Sequence, residues 1–268
     1  MKKLLTIILF LLTALTSSAQ ENFFEGELVY DNFENHSKMV LKFSKGMAYN
    51  GERTVHVLMK GSVIHMIDNV LHFHTLLFPD ENKAIIFSDF LKRGQQFPYD
   101  EYVKTYLSQF SISKGSVKGT FEKTGETEMV RDRSCHIMKG KVSVSGVKTD
   151  LEAWVSQEYK IYDSYRTFTF GMDIDGIAMK CAYKTVGKIP LLGEARSYVQ
   201  SELVEMKTRE VTDEELSVPE GYKIVESSSP FKVVGLYNDT RKYMKAQGIY
   251  PDDIDKEVTF KTEDEWSF

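Results

Sequence analysis

RTVHVLMKGSVIHMIDNVLHFHTLLF, residues 53–78, decides how this chain folds. Three runs inside it, RTVHVLM (53–59), SVIHMI (62–67) and VLHFHTLLF (70–78), alternate apolar and polar residues with the period of two that marks a half-buried strand. The breaks between them are Lys60-Gly61 and Asp68-Asn69, and two-residue connections of that composition favour tight hairpins. With those pairs at the centres of the turns, Met59 faces Ser62 and His56 faces His65, while Ile67 faces Val70 and His65 faces His72. His74 follows two residues on, on the same face. Four imidazoles, His56, His65, His72 and His74, then share one face, and Val55, Val57, Ile64, Met66, Leu71 and Phe73 line the other.

Strand patterning continues on both sides of this meander. FEGELVYDNF (24–33) and KMVLKFSKG (38–46) alternate upstream, the second with Met39, Leu41 and Phe43 on one face, and KAIIFSDF (83–90) follows downstream. The period then changes. In PYDEYVKTYLSQF, Val103, Tyr106, Leu107 and Phe110 recur at helical spacing, and Pro98 suits a helix start. SVKGTFEKTG, ETEMVR, SCHIMKGKVSVS, KTDLEAWVS and RSYVQSELVEMKTREV return to strands. Residues 159–183 are ambiguous between the two periods: they carry the apolar load of a buried helix, with Asp173 to Gly176 as a break. GYKIVE closes the sheet pattern, Ser227-Ser228-Ser229-Pro230 reads as a linker, and NDTRKYMKAQG as a helix capped by Asn238 or Asp239 and stopped by Gly248. The expected fold is α+β: one long, strongly curled antiparallel sheet, an incomplete barrel, with short helices on its concave face.

The N-terminus places the protein. MKKLLTIILFLLTALTSSAQ has a basic start, an apolar run from Leu4 to Leu12, and small residues at Ser17-Ser18-Ala19, the pattern of a secretory signal peptide cut after Ala19. The expected organisation is a signal peptide at 1–19, a half-barrel domain at 20–226 and a C-terminal extension with a short helix at 227–268. No Cys lies near the cut, so the exported chain is expected to be soluble in the periplasm or outside the cell rather than lipid-anchored. Removing residues 1–19 takes away two lysines and no acidic residue, leaving 32 basic against 39 acidic side chains and a net charge of −7. An acidic surface repels phosphate backbones, so nucleic acid is not an expected partner. No later apolar run has the length of a membrane-spanning helix. An exported compartment permits a disulfide between Cys135 and Cys181; the alternative is two buried thiols acting as small apolar groups.

FEGELVY, the strand ending FSKG, SCHIMKGKV followed by LEAWVS, and LSVPEGYKIVE occur in that order. The series resembles an uncharacterised domain family of exported bacterial proteins through Phe24, Gly26, Tyr30, Cys135, Trp154 and the turn Val218-Pro219-Glu220-Gly221-Tyr222. That family is similar, more distantly, to the LolA-like superfamily of periplasmic lipoprotein carriers. The resemblance covers about residues 23–226, departs at Asp132-Arg133-Ser134, and leaves the segment after Pro230 as an addition. It implies an incomplete barrel closed by helices that holds acyl chains.

The functional expectation is a non-enzymatic binding protein for a hydrophobic or lipid-like ligand, with Val103, Tyr106, Leu107 and Phe110 as part of a lid and Trp154 lining the pocket. One alternative is a cell-envelope structural or interaction protein whose C-terminal extension contacts a partner protein. A weaker one is a transition-metal site at His56, His65, His72 and His74; its plain counterpart is a half-exposed sheet face that tolerates histidine. Asp173-Ile174-Asp175-Gly176 has the start of a calcium loop without its closing Glu, and reads as a turn. Val258, Phe260, Trp266 and Phe268 alternate as in a membrane-barrel strand, but Thr262 and Asp264 interrupt them, which favours a tail that docks on the domain or on a partner. No nucleophile, zinc-protease, phosphate-loop or dinucleotide motif is present, and no cofactor is expected.

Overall fold

In the computed structural model, which describes residues 22–43, 48, 50–109, 118–144, 147–167, 174–189 and 193–251, the described strands form a single twelve-stranded sheet. The N-terminal meander comprises β1 (Gly26–His36), β2 (Gly51–Lys60), β3 (Val63–Asp68), β4 (Phe73–Phe78), β5 (Lys83–Ser88) and β6 (Arg93–Pro98). A second meander comprises β7 (Lys118–Val130), β8 (Arg133–Val144), β9 (Val147–Ser156), β10 (Ile177–Ile189) and β11 (Gly193–Thr208). The two join where β1 pairs with β11, and β12 (Lys223–Glu226) adds to β6 as the parallel pair. The order across the sheet is β12-β6-β5-β4-β3-β2-β1-β11-β10-β9-β8-β7, so it is mixed and not closed.

Both hairpin turns of the 53–78 segment differ from the sequence reading. Met59 pairs with Ile64 and Lys60 with Val63, which makes Gly61-Ser62 the turn. Gly61 takes a left-handed φ of 57°, a conformation that costs glycine nothing and a lysine more. Between β3 and β4, Asp68 Oδ1 accepts the backbone N–H groups of Val70 (2.8 Å) and Leu71 (2.9 Å), so the connection is four residues long and not two. His56 therefore faces Ile67, and His65 faces Leu76.

Among the described residues three short α-helices accompany the sheet: α1 (Lys38–Phe43), α2 (Tyr99–Gln109) and α3 (Val233–Gln247). The segment 38–43 is helical where alternation predicted a strand. Met39 and Phe43 fit the i, i+4 spacing of a helix as well as the period of a strand, and a six-residue run cannot separate the two. The turn into β2 is closed by Asn50, whose side chain accepts the His36 N–H (2.6 Å) and donates to the His36 carbonyl (3.2 Å). In the stretch of ambiguous period, residues 163–167 form a 3-10 turn and 177–189 a strand. Gly176, at φ 141°, opens that strand, and a Cβ there would lie 2.2 Å from the Ser156 carbonyl oxygen.

Each face of the sheet has its own cover. One face carries the main core, including Leu28, Tyr30, Val57, Met59, Ile64 and Leu77, under Tyr102 of α2, the 163–167 turn through Tyr165, and α3 through Val233, Leu236 and Met244. Tyr237 of α3 stacks on Phe73 at 4.0 Å, and the buried Thr240 hydroxyl donates to Ser88 Oγ (2.9 Å). The helix at 233–247 is thus part of the core; its start lies five residues before the expected cap, with Lys232 as N-cap, and it ends at Gly248 in a left-handed conformation. The opposite face is crossed by residues 209–222, which pack Val211 and Leu216 on Leu58, and Val218 and Tyr222 on Leu76, Ile85 and Phe87.

Candidate functional site

The helix-covered face changes character along its length. On β1 the inward residues are Leu28, Tyr30, Asn32, Glu34 and His36, running from apolar to ionisable. The neighbouring strands follow suit. Val57, Val55 and Arg53 of β2 lie opposite Leu28, Tyr30 and Asn32, and Leu203, Ser201, Val199 and Ser197 of β11 lie opposite Tyr30, Asn32, Glu34 and His36.

At the polar end these groups make a connected ion cluster. Arg53 donates to Glu34 and, at 2.7 Å, to Asp68 Oδ2. His36 Nε2 donates to Glu34 Oε2 (2.9 Å), while its Nδ1 bonds the Ser197 hydroxyl (3.0 Å). The Ser201 hydroxyl donates to Asn32 Oδ1 at 2.5 Å. Arg241 reaches the cluster from α3 and donates to the Ala48 carbonyl (3.0 Å). Burial raises the Glu34 carboxyl, but the charges of Arg53 and Arg241 and the His36 hydrogen bond outweigh it and hold Glu34 below the ordinary range. The Tyr237 phenol is pushed up to about 12 by burial and by the Asp68 charge.

Potential nucleophiles on this face are held protonated. Tyr30 and Tyr165 share a short hydroxyl contact, Tyr30 also donates to the Ala178 carbonyl (3.0 Å), and burial raises both phenols. The Cys181 thiol is pushed up to about 12 by burial against the lowering effect of Ser201, and burial also raises Cys135, which lies on the opposite face with Ile137 and Trp154. At neutral pH these groups pack and donate hydrogen bonds; they are not activated for attack. The face thus offers an apolar floor with a charged, hydrogen-bonded patch at one end.

Cys135 and Cys181 are both free and buried. Cys181 lies opposite Ala153, and Ala153 opposite Met138, so the thiols stand two strands apart and three residues out of line. Two strand spacings, about 9.6 Å, exceed the Cα separation that a disulfide spans. A thiol reagent is expected to leave native protein unlabelled and to label two groups once it is denatured, with no mass change on reduction; labelling of neither after denaturation would contradict this.

The residues picked out from sequence are distributed as follows. Val103 is half-buried on α2, whose contact with the core is made by Tyr99 and Tyr102. The side chains of Tyr106 and Leu107, and all of Phe110 and Asp173, lie outside the described residues, as do residues 1–21 and the tail at 252–268. Trp154 is not on the helix-covered face. It aligns with Lys180, and through β11 and β1 with Glu202 and Asp31, whose side chains point the other way from Tyr30 and Leu203. Its indole N–H donates to Glu128 (2.8 Å), and the Lys180 ammonium sits 4.5 Å over its ring.

The four histidines do not assemble as one set. His56 bonds Glu27 (2.9 Å), and His72 lies in the β3–β4 turn, edge-on to Phe90. Only His65 and His74 meet, Nε2 to Nδ1 at 2.9 Å, and His74 Nε2 donates to Asp89 at 2.9 Å. The one-residue difference in the first turn and the longer second turn account for the separation. Among the described residues no three His, Cys, Asp or Glu side chains are grouped so as to hold a metal ion.

Sequence reading missed Glu34, His36, Arg53, Asp68 and Arg241 as one group. A signal was present: Glu34 and His36 occupy the inward positions of a strand whose other inward residues are Leu28 and Tyr30. Comparison with protein-family models and with curated proteins finds no match for this chain.

Proposed function

We propose that this is an exported, non-enzymatic binding protein that holds a hydrophobic or lipid-like ligand between the helix-covered face of its sheet and the elements lying on it. The observation that carries this reading is the construction of the cover. A continuous apolar face is closed by α2, the 163–167 turn and α3, each a short piece joined to the sheet by its own connections. Such pieces can separate from the sheet without breaking strand pairs, and the exposed floor then offers about 25 cal/mol per Å² of apolar area to a greasy ligand. The charged end at Glu34, Arg53 and Asp68 suits the polar head of an amphiphile.

Curling of the sheet around this face belongs to the same reading. Helix α2 leaves β6, the 163–167 turn follows β9, and the two are in contact. Eight strand spacings separate those strands, about 38 Å in a flat sheet, so the contact supports a bent one. Ser164 Oγ also donates to the Ser62 carbonyl (2.7 Å) at the β2–β3 turn. The leader pattern at 1–19 supports export.

Native mass spectrometry of gently purified protein, followed by lipid extraction, tests the reading. A released lipid or acyl chain is expected. A clean ligand-free mass, together with no uptake of a fluorescent fatty acid, would overturn it.

A further inference from the structure

The segment 209–222 on the opposite face is a strap, and its attachment differs in kind from the packing elsewhere. Surface ion pairs hold its first part to the sheet: Lys60 Nζ to Asp213 (2.7 Å), and Arg209 to Glu27 of β1 (3.5 Å). Beneath its middle and far end runs a chain of hydrogen bonds. The Glu215 carbonyl meets His65 Nδ1 at 2.6 Å, His65 Nε2 meets His74 Nδ1, and His74 Nε2 meets Asp89 Oδ2. The Tyr222 hydroxyl then donates to Asp89 Oδ1 and accepts from Lys92 Nζ (2.7 Å). Both ends of this chain, Glu215 and Tyr222, belong to the strap; everything between them belongs to the sheet and its turns.

We propose that the strap is fastened by one shared proton: the latch is closed when the His65 and His74 rings together carry three N–H hydrogens, and gaining or losing one opens it.

The count follows from the ends of the chain. A backbone carbonyl only accepts, so His65 Nδ1 carries a hydrogen. Asp89 is ionised: burial raises it, but the hydrogen bonds from Tyr222 and His74 and the charge of Lys92 outweigh this and lower it. A carboxylate only accepts, so His74 Nε2 carries the second hydrogen, and the bond between the rings needs the third. Two neutral imidazoles hold two. With one fewer, two lone pairs face each other at the ring–ring contact; with one more, two N–H groups do.

Other charged and titratable groups around the pair are Glu27, His56 and Lys60 from β1 and β2, Arg209, Asp213 and Glu215 from the strap, and Lys92 and Tyr222 beside Asp89. Burial and the neighbouring His74 depress His65 to about 4, against the raising effect of the Glu215 carbonyl. The sign is that of a base whose folded value is lowered. Its contribution is present above the unfolded value of about 6.5 and fades as pH falls toward about 4. The acid limb of the latch lies there.

Hydrogen exchange of the strap amides in the full chain, corrected for intrinsic rates and followed from about pH 3 to about pH 9, tests the proposal. Protection over 209–222 is expected to pass through a maximum and fall about tenfold on either side. His74→Phe keeps the stack on Phe87 and removes both nitrogens; it is expected to lower the protection and abolish the maximum. Protection without a maximum in the wild type, or a maximum retained in H74F, overturns the latch. Should H74F not fold, imidazole ¹⁵N spectra of the wild type decide instead. Three N–H signals with a coupling across the ring–ring bond are expected, and two uncoupled rings would contradict the count.

Discussion

Arg53→Met is expected to lower stability by about 3–5 kcal/mol. The arginine is the cation shared by Glu34 and Asp68, whose side chains are 8% and 13% exposed. A methionine of similar length preserves packing but strands two carboxylates under α3, where water is scarce. In the wild type Glu34 sits below its ordinary value of 4.5, so its contribution is present above that value and lost as pH falls through the folded one. In R53M the main lowering influence is gone and burial dominates, so protonation of Glu34 becomes a relief. Acidification therefore weakens the wild type while easing the strain in the variant, and the stability gap narrows. Urea unfolding near neutral pH and near pH ~4 measures both gaps. Glu34→Gln added to R53M is expected to restore at least about 1 kcal/mol through the coupling of the pair. A gap below about 1 kcal/mol, or one insensitive to pH, would show that water reaches these carboxylates and that the ion cluster is a surface feature.

Truncation after Ser229 is expected to have the other large effect. Val233, Leu236 and Met244 are each at most 5% exposed, and burial of such side chains is worth about 1.5–3 kcal/mol apiece. Their loss removes about 5–9 kcal/mol, comparable to the whole stability of an ordinary domain. It also takes away the Thr240–Ser88 hydrogen bond and the Tyr237 stack on Phe73. The truncated chain is expected to bind a dye specific for exposed apolar surface and to lose cooperative unfolding. A cooperative transition with wild-type midpoint would mean that the 230–251 segment is an appendage.

The period of two made most of the sheet legible, because a strand with one apolar and one mixed face writes its geometry into alternate residues. It failed at β6, where Arg93, Gly94, Gln95 and Gln96 show no alternation. That strand exists because β5 and β12 pair on either side of it, and Gly94 fits because a Cβ there would lie 2.5 Å from the Ile86 oxygen. Turn details were less legible than strands, and they decide side-chain meetings. Three histidines share a face as the spacing indicates, yet Gly61 and Asp68 set registers that bring only His65 and His74 into contact. Glu34 and His36 at inward positions of β1 were a legible sign of the ion cluster, but its partners were not: His36 meets Ser197, Arg241 arrives from the last helix, and no local pattern announces such distant partners. The Val218–Tyr222 turn acquires a physical role at Tyr222, which bonds Asp89 and packs edge-on to Phe87.

The pairing of β1 with β11 has a consequence for assembly. Each meander pairs a strand with its neighbour in sequence, but the seam joins Gly26 to Thr208 and His36 to Ser197, and the parallel addition of β12 to β6 comes later still along the chain. Closing so long a loop is entropically slow, and neither half has its final edge until the seam forms. During synthesis β1, paired with β2 on one side, therefore waits with its other hydrogen-bonding edge open until β11 emerges. The interval before that partner emerges is when the chain is most exposed to strand exchange with a second copy, and most in need of a chaperone that covers β-edges.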